Sequence, residues 1–234
     1  MTLYKYLKKQ KQNQRKMWAI LLDPDKIDLQ NFKVLAEKIR FAKPDLLLVG
    51  GSFVSEQKHI KLVKKLKKHC QIPVILFPGS PAQISLHADA ILLLSLISGR
   101  NAEYLINKQV EAAPLLYHSG LEIIPTGYLL IENGRSTSVE YISNTKPIPR
   151  NKIDIALATA LAGEMLGLKM LYLEAGSGAK KPVPLKMVSV ISKQSQLPLI
   201  VGGGIKTKKR MLKTWAAGAD LVVVGTAFEK GNFV

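Results

Sequence analysis

Five short stretches of the chain combine carboxylates, hydroxyls and glycines in a way suited to a phosphorylated substrate. In YLEAGSGA (172–179) a strand-like run ends in a glutamate and passes directly into a glycine loop. Strand alternation puts Tyr172 and Glu174 on one side. The loop at Gly176, Ser177 and Gly178 then brings backbone N–H groups up to an anion without side-chain interference. Glu174 would lie within reach of a bound hydroxyl; the alternative is a glutamate paired with a nearby lysine. VGGGIKTKK (201–209) and VVGTAFEK (223–230) offer two more anion loops, through Gly203 and Gly204 and through Gly225 and Thr226. Upstream, LLDPDK (21–26) presents Asp23 and Asp25 beside Lys26. A carboxylate beside a phosphate suits Mg²⁺, which takes one or two carboxylates plus phosphate oxygens and water. Asp-Pro-Asp is equally good turn and helix-start chemistry, and the sequence leaves both open. VGGS (49–52) adds Ser52, a hydroxyl for a metal or phosphate oxygen, or an ordinary turn serine.

Other chemistries find little support. His59, His69, His87 and His118 have no metal-ligand spacing and read as structural or solvated. No nucleophile elbow or Walker loop is present, and no GxGxxG follows the first strand-like run, so nicotinamide and ATP chemistry are not indicated. The single Cys70 rules out an internal disulfide and any multi-cysteine metal site, and a cytoplasmic location is the default expectation. The basic N-terminus lacks the apolar run of a signal peptide, and ILLLSLI (91–97) is too short for a membrane span. The net charge of +17 could draw nucleic acid, an anionic membrane or a phosphorylated substrate. In KHIKLVKKLKKH (58–69) the apolar residues recur at helical spacing, so the lysines form a solvated outer face. Few aromatics interleave with them, which argues against nucleic acid.

These loops need a scaffold that gathers them. Eight apolar runs, MWAILLD, DLLLVGG, PVILFPG, AILLLSL, LEIIPTGYLL, MLYLEAG, LPLIVGGG and DLVVVGT, are bounded by Gly, Pro or Asp and mostly separated by helical patterns. The composition is 47% hydrophobic and only 6% aromatic, as suits strands buried on both faces. The fold class is α/β, a (β/α)₈ barrel whose catalytic groups sit at the C-terminal strand ends, with phosphate held after strands seven and eight. Only SPAQISLHAD separates the third and fourth runs, so the third helix is expected to be missing or reduced to a turn. The residues after DLVVVGT leave no room for a closing eighth helix, and GRSTSVEYISNTKPIPRN reads as a long polar loop. A single barrel domain over 1–234, with a short N-terminal helical extension, is the economical organisation.

Taken in order, LLDPDK, VGGS, YLEAGSGA, VGGGIK and VVGTAFEK resemble the geranylgeranylglyceryl phosphate synthase family, in its archaeal and Bacteroidetes-type form. The resemblance implies a modified TIM barrel with a shortened third helix. It also implies a Mg²⁺-dependent prenyltransferase joining the C3 hydroxyl of sn-glycerol 1-phosphate to geranylgeranyl diphosphate. Carried over, Asp23 and Ser52 match the metal positions. Tyr172, Leu173, Glu174, Ala175, Gly176, Ser177 and Gly178, with Gly203, Gly204, Gly225 and Thr226, match the glycerol phosphate positions. Glu174 and Tyr172 are the expected catalytic pair. Some relatives carry a Lys where this chain has Leu21, a role that Lys26 could take over. The prenyl tail is expected along Phe77, Tyr104 and TGYLL (126–130). A homo-oligomer, dimer or hexamer, and peripheral membrane contact are further expectations. Rival readings are a heptaprenyl-type substrate, a sugar-phosphate isomerase or aldolase, and a non-catalytic basic barrel.

Overall fold

The computed structural model describes residues 1–51, 57–231 and 233. Helix α1 (Leu3–Gln12) precedes eight strands: β1 (Met17–Leu22), β2 (Leu46–Val49), β3 (Val74–Leu76), β4 (Ala90–Ser95), β5 (Glu122–Leu130), β6 (Met170–Glu174), β7 (Leu199–Gly202) and β8 (Leu221–Val224). Each pairs in parallel with the next, and β8 pairs with β1 to close the barrel. Period-2 alternation divides the apolar side chains into two layers. Met17, Ala19, Leu46, Ile75, Met170 and Tyr172 fill the interior, while Ile20, Leu47, Val74, Leu171 and Leu173 meet the surrounding helices. The parity of β6 therefore sends Tyr172 inward, and Glu174 inward one step higher, at the mouth.

Helices α2 (Phe32–Ala42) and α3 (Lys58–His69) cover the first strands. In α3, Leu62, Val63 and Leu66 are buried, as the spacing predicted. After β3 the chain makes only a 3₁₀ turn, Pro81–Gln83, so the third helix is indeed reduced. A π turn, Glu103–Asn107, leads into α4 (Lys108–Tyr117), which accommodates Pro114 without its N–H. The expected polar loop after β5 is more ordered than its composition suggested. It holds α5 (Ser138–Ser143), started by the Thr137 hydroxyl accepting the Glu140 N–H at 3.3 Å. Helices α6 (Ile153–Met165), α7 (Leu185–Gln194) and α8 (Lys208–Ala216) complete the wall. After β8 there is one helical turn, α9 (Thr226–Glu229), where no helix was expected. Among the described residues no helix is long and apolar enough to cross a membrane.

The opposite end of the barrel is stoppered by α1, whose Leu7 is buried in the interior layer. The Tyr4 N–H donates to Glu122 at 2.8 Å, and Lys11 reaches Asp220 at 3.1 Å. Asp220 is buried and also accepts the Leu199 N–H at 2.9 Å. Asp220→Ala would strand that strand N–H and cost the Lys11 ammonium its carboxylate, leaving it the Leu197 carbonyl at 3.0 Å. The expected outcome is a loss of about 2–3 kcal/mol in urea unfolding free energy. A loss below about 0.5 kcal/mol would show that this end of the barrel is held by packing alone.

Candidate active site

The C-terminal strand ends enclose a polar cavity of about 620 Å³. Asp23 after β1, Glu174 at the end of β6, Gly176, Ser177 and Gly178 in the loop beyond it, Gly203 and Gly204 after β7, and Gly225 and Thr226 after β8 all line it. The fold thus gathers most of the residues singled out in sequence. Tyr172 is fully buried beneath them. Leu173 and Ala175 belong to the helix-facing layer, so their side chains point away from the cavity, as strand parity requires. Ser52 lies outside the described residues. No histidine among the described residues lines the cavity.

Glu174 is the chemical centre. Its side chain turns back so that Oε1 accepts the Gly176 N–H at 2.6 Å. The approach depends on glycine next door. A Cβ on Gly202 would stand 2.5 Å from Glu174 Oε2 and 2.6 Å from the Tyr172 hydroxyl, and one on Gly203 would stand 2.6 Å from the Ala175 nitrogen. Gly203 also has φ +79°, which a side chain rarely tolerates. Burial raises the Glu174 carboxyl from 4.5 to about 7, against the opposing pull of the Gly176 N–H and the Tyr172 hydroxyl. That hydroxyl is buried without a well-aligned hydrogen bond, and faces the carboxylate as a neutral dipole. Burial first, then the Glu174 charge, push Tyr172 and Tyr128 well above the ordinary phenol value, so neither ionises. With Phe77 the two form an aromatic floor, ring centroids 5.1 to 6.0 Å apart.

Asp23 forms the turn reading of DPD while its side chain lines the cavity. Its Oδ1 accepts the Asp25 N–H at 3.2 Å and its carbonyl accepts the Lys26 N–H at 3.0 Å, while Oδ2 faces the cavity paired with the Lys26 ammonium at 2.6 Å. Burial would lower Lys26, but its hydrogen bond to Asp23 and the surrounding carboxylates hold it above its usual value. Glu229 on α9 accepts the Asp23 N–H at 3.1 Å. Among the described residues no three His, Cys, Asp or Glu side chains cluster as a preformed metal cage. Asp23 at the mouth, beside anion loops and without a cluster of three metal-ligating side chains among the described residues, is a donor set that fits Mg²⁺, which keeps waters and takes substrate oxygens, and does not fit a cation needing a full protein cage.

A second, apolar cavity adjoins the first where the third helix would have packed, beside the 3₁₀ turn, the π turn and α5. Phe77, Ile84, Leu94, Tyr104, Tyr128 and Ile142 are among its lining. Gly51, Phe77, Tyr128 and Val139 line both cavities. Of TGYLL only Tyr128 contributes; Leu129 and Leu130 are buried in the two core layers and Thr126 bonds the Ile124 carbonyl. Sequence reasoning also missed Asn133, whose amide donates to the Ala175 carbonyl at 2.8 Å, and Arg135, Lys206, Glu229 and Lys230 at the cavity wall. Loop residues that act by holding backbone leave no periodic signal.

Comparison with known proteins shows the family and the fold. The chain matches the PcrB family over residues 10–232. It is 54% identical over 231 residues to a geranylgeranylglyceryl phosphate synthase of Flavobacterium johnsoniae, covering 99% of this chain and 95% of that one. To the protein of that name in the archaeon Thermococcus gammatolerans it is 42% identical, over 96% and 89% of the two chains. The crystal structure of (S)-3-O-geranylgeranylglyceryl phosphate synthase from Thermoplasma acidophilum, in complex with sn-glycerol-1-phosphate, superposes with a TM-score of 0.92. It has 33% identity and covers 98% of this chain and 92% of that one. A tryptophan synthase α-subunit from Pyrococcus furiosus, at 12% identity and TM-score 0.58, shares the fold alone.

The raised Glu174 carboxyl has a consequence for stability. An acid near 7 when folded and 4.5 when unfolded holds its proton more tightly in the folded state. Its unfavourable contribution is therefore absent below about 4.5, grows as pH rises to 7, and is constant above. Glu174→Gln keeps an acceptor for the Gly176 N–H and removes the charge. The variant should match the parent at pH 4 and exceed it by up to about 3 kcal/mol at pH 8. Parallel stability curves at the two pH values would show that the carboxylate is not desolvated.

Proposed function

The chain belongs to the PcrB family, and from that premise we propose that it is a prenyltransferase that alkylates the C3 hydroxyl of sn-glycerol 1-phosphate with geranylgeranyl diphosphate. The observation that carries this reading is the junction of the two cavities. A polar cavity ringed by anion loops and an apolar one opened by the lost third helix share the wall of Phe77, Tyr128 and Val139, with Glu174 lining the polar side. A phosphorylated polyol and a prenyl chain need such a pair of sites side by side.

The chain's own residues divide the work. Glycine-loop N–H groups, Gly203, Gly204 and Gly225, with the Ser177 and Thr226 hydroxyls 3.2 Å apart, hold the glycerol phosphate by its charged end. That leaves its free hydroxyl toward Glu174. The ionised Glu174 accepts the hydroxyl proton as oxygen attacks C1 of the prenyl group, the C1–diphosphate bond breaks, and diphosphate leaves with the bonding pair. Tyr172, kept neutral, aims its dipole at Glu174 and holds part of its pKa rise in check. Asp23, together with Ser52, is proposed to hold Mg²⁺, which when bound supplies charge compensation for the leaving diphosphate. Lys26, Lys206 and Lys230 line the same mouth and make it attractive to two anionic substrates.

The test is transfer of labelled sn-glycerol 1-phosphate into a butanol-extractable lipid with C15, C20 or C35 prenyl diphosphate. The expected outcome is highest turnover with C20, loss on chelation of Mg²⁺, and a fall of about 10²- to 10⁴-fold in Glu174→Gln. A C35 optimum would move the substrate to a longer prenyl chain, and no lipid product with any chain would overturn the reading. The base must be ionised, so kcat/KM should rise with pH through about 7 and then level. In Glu174→Gln the residual rate should lose that dependence beyond what the phosphate of the substrate itself contributes.

A further inference from the structure

Residues Gly176 to Ala179 form a tight turn closed by the Ala179 N–H donating to the Gly176 carbonyl at 3.1 Å. Gly178, at the second central position, has φ +62°, whereas Ser177 at the first is not in the positive-φ region. That combination is the requirement of a type II turn, which differs from type I by a flip of the central peptide. The orientation of the peptide between Ser177 and Gly178 therefore distinguishes this turn from a type I turn. The Ser177 carbonyl and the Gly178 N–H point to opposite sides of that planar trans peptide, so whichever side holds the one, the other side receives its partner.

Arg135 stands at this peptide. It comes from the loop between β5 and α5, and its Nη2 donates to the Gly178 carbonyl and lies 3.5 Å from the Ser177 carbonyl. On the same loop, Thr137 packs against Gly176 so closely that a Cβ there would lie 2.5 Å from its methyl group. Asn133 holds the Ala175 carbonyl from the other side at 2.8 Å. Three side chains of one loop therefore hold the backbone of another. Among the described residues Arg135 forms no ion pair with a carboxylate, and its recorded hydrogen bonds go to carbonyl oxygens. Ser177, Gly178 and Arg135 all line the polar cavity.

We propose that Arg135 is a positioning residue for the reaction. Its contact with the Ser177 carbonyl holds that oxygen of the Ser177–Gly178 peptide on the Arg135 side, so the Gly178 N–H on the opposite side is presented to a bound phosphate, while its bond to the Gly178 carbonyl fixes the following peptide. This rests on the glycine loop being a phosphate site, as in the function proposed above, but not on the prenyl substrate. A direct ion pair between Arg135 and the phosphate is the competing role, and the two differ in what salt does. A contact pair weakens as ionic strength rises, whereas an anchored backbone turn does not.

The experiment measures dissociation constants for inorganic phosphate and for sn-glycerol 1-phosphate by calorimetry at several salt concentrations. The proteins are the parent chain, Arg135→Met and Arg135→Lys. The positioning role predicts about tenfold weaker binding of both ligands in Arg135→Met, the loss of one charge-assisted hydrogen bond, with a salt slope equal to the parent's. In turnover the change should fall on KM for glycerol phosphate with kcat within about threefold, and Arg135→Lys should recover most of it. Unchanged binding in Arg135→Met overturns the proposal, as does a shallower salt slope, which would make Arg135 a direct phosphate ligand. If the parent binds inorganic phosphate but forms no ether, the prenyltransferase reading fails while this inference is still decided by the phosphate measurement.

Discussion

The mouth of this barrel depends on one buried carboxylate packed against backbone. Glu174 can fold back onto the Gly176 N–H because Gly202 and Gly203 leave the space a side chain would take. The glycines after β7 therefore have two effects. They bare N–H groups toward an anion, and they make room for the acid of the neighbouring strand. An alanine at Gly203 would conflict with the carboxylate, with two backbone nitrogens and with its own φ of +79°, so the requirement is steric before it is chemical.

The second constraint is a subtraction. A regular barrel covers each strand pair with a helix, and here a 3₁₀ turn stands in for one between β3 and β4. Ile91, Leu93 and Ile84 on the helix-facing side would then face water, and the π turn, α4 and α5 close only part of the gap. What is left is an apolar slot beside a polar cavity. Tyr104 spans it, its hydroxyl donating to the Ile142 carbonyl at 3.3 Å, so the wall of the slot is itself tied to the loop that holds the glycine turn.

Much of this was legible in the sequence, for a physical reason. Strands buried on both faces give continuous apolar runs, and all eight were placed; the short SPAQISLHAD connection gave away the missing helix by length alone. The candidate residues that came together in the cavity are those set by strand parity and by glycine. Two of the residues matched in YLEAGSG, Leu173 and Ala175, fall on the wrong parity and face the helices, so a motif read as a continuous string overstates which side chains reach a ligand. The failures cluster in the loop after β5. Its Ser, Thr and Asn residues read as solvated, yet Thr137 caps a helix three residues before Glu140, a local signal that composition masked. Asn133 and Arg135 act on the backbone of a loop some forty residues away, and no spacing rule reports that.

The pKa of Glu174 shows which effects compete. Desolvation raises the carboxyl, and a fully solvated carboxylate near 4.5 would be a weak base. The Gly176 N–H and the neutral Tyr172 dipole oppose that rise, and the net value of about 7 leaves half the molecules with the base ionised at neutral pH. Tyr172 can play this part only while it stays protonated, and its own burial among Phe77 and Tyr128 sees to that. The aromatic floor is thus an electrostatic device as much as a packing one. It keeps water from the carboxylate, and so strengthens the base, while supplying the single hydroxyl that limits how far the shift goes.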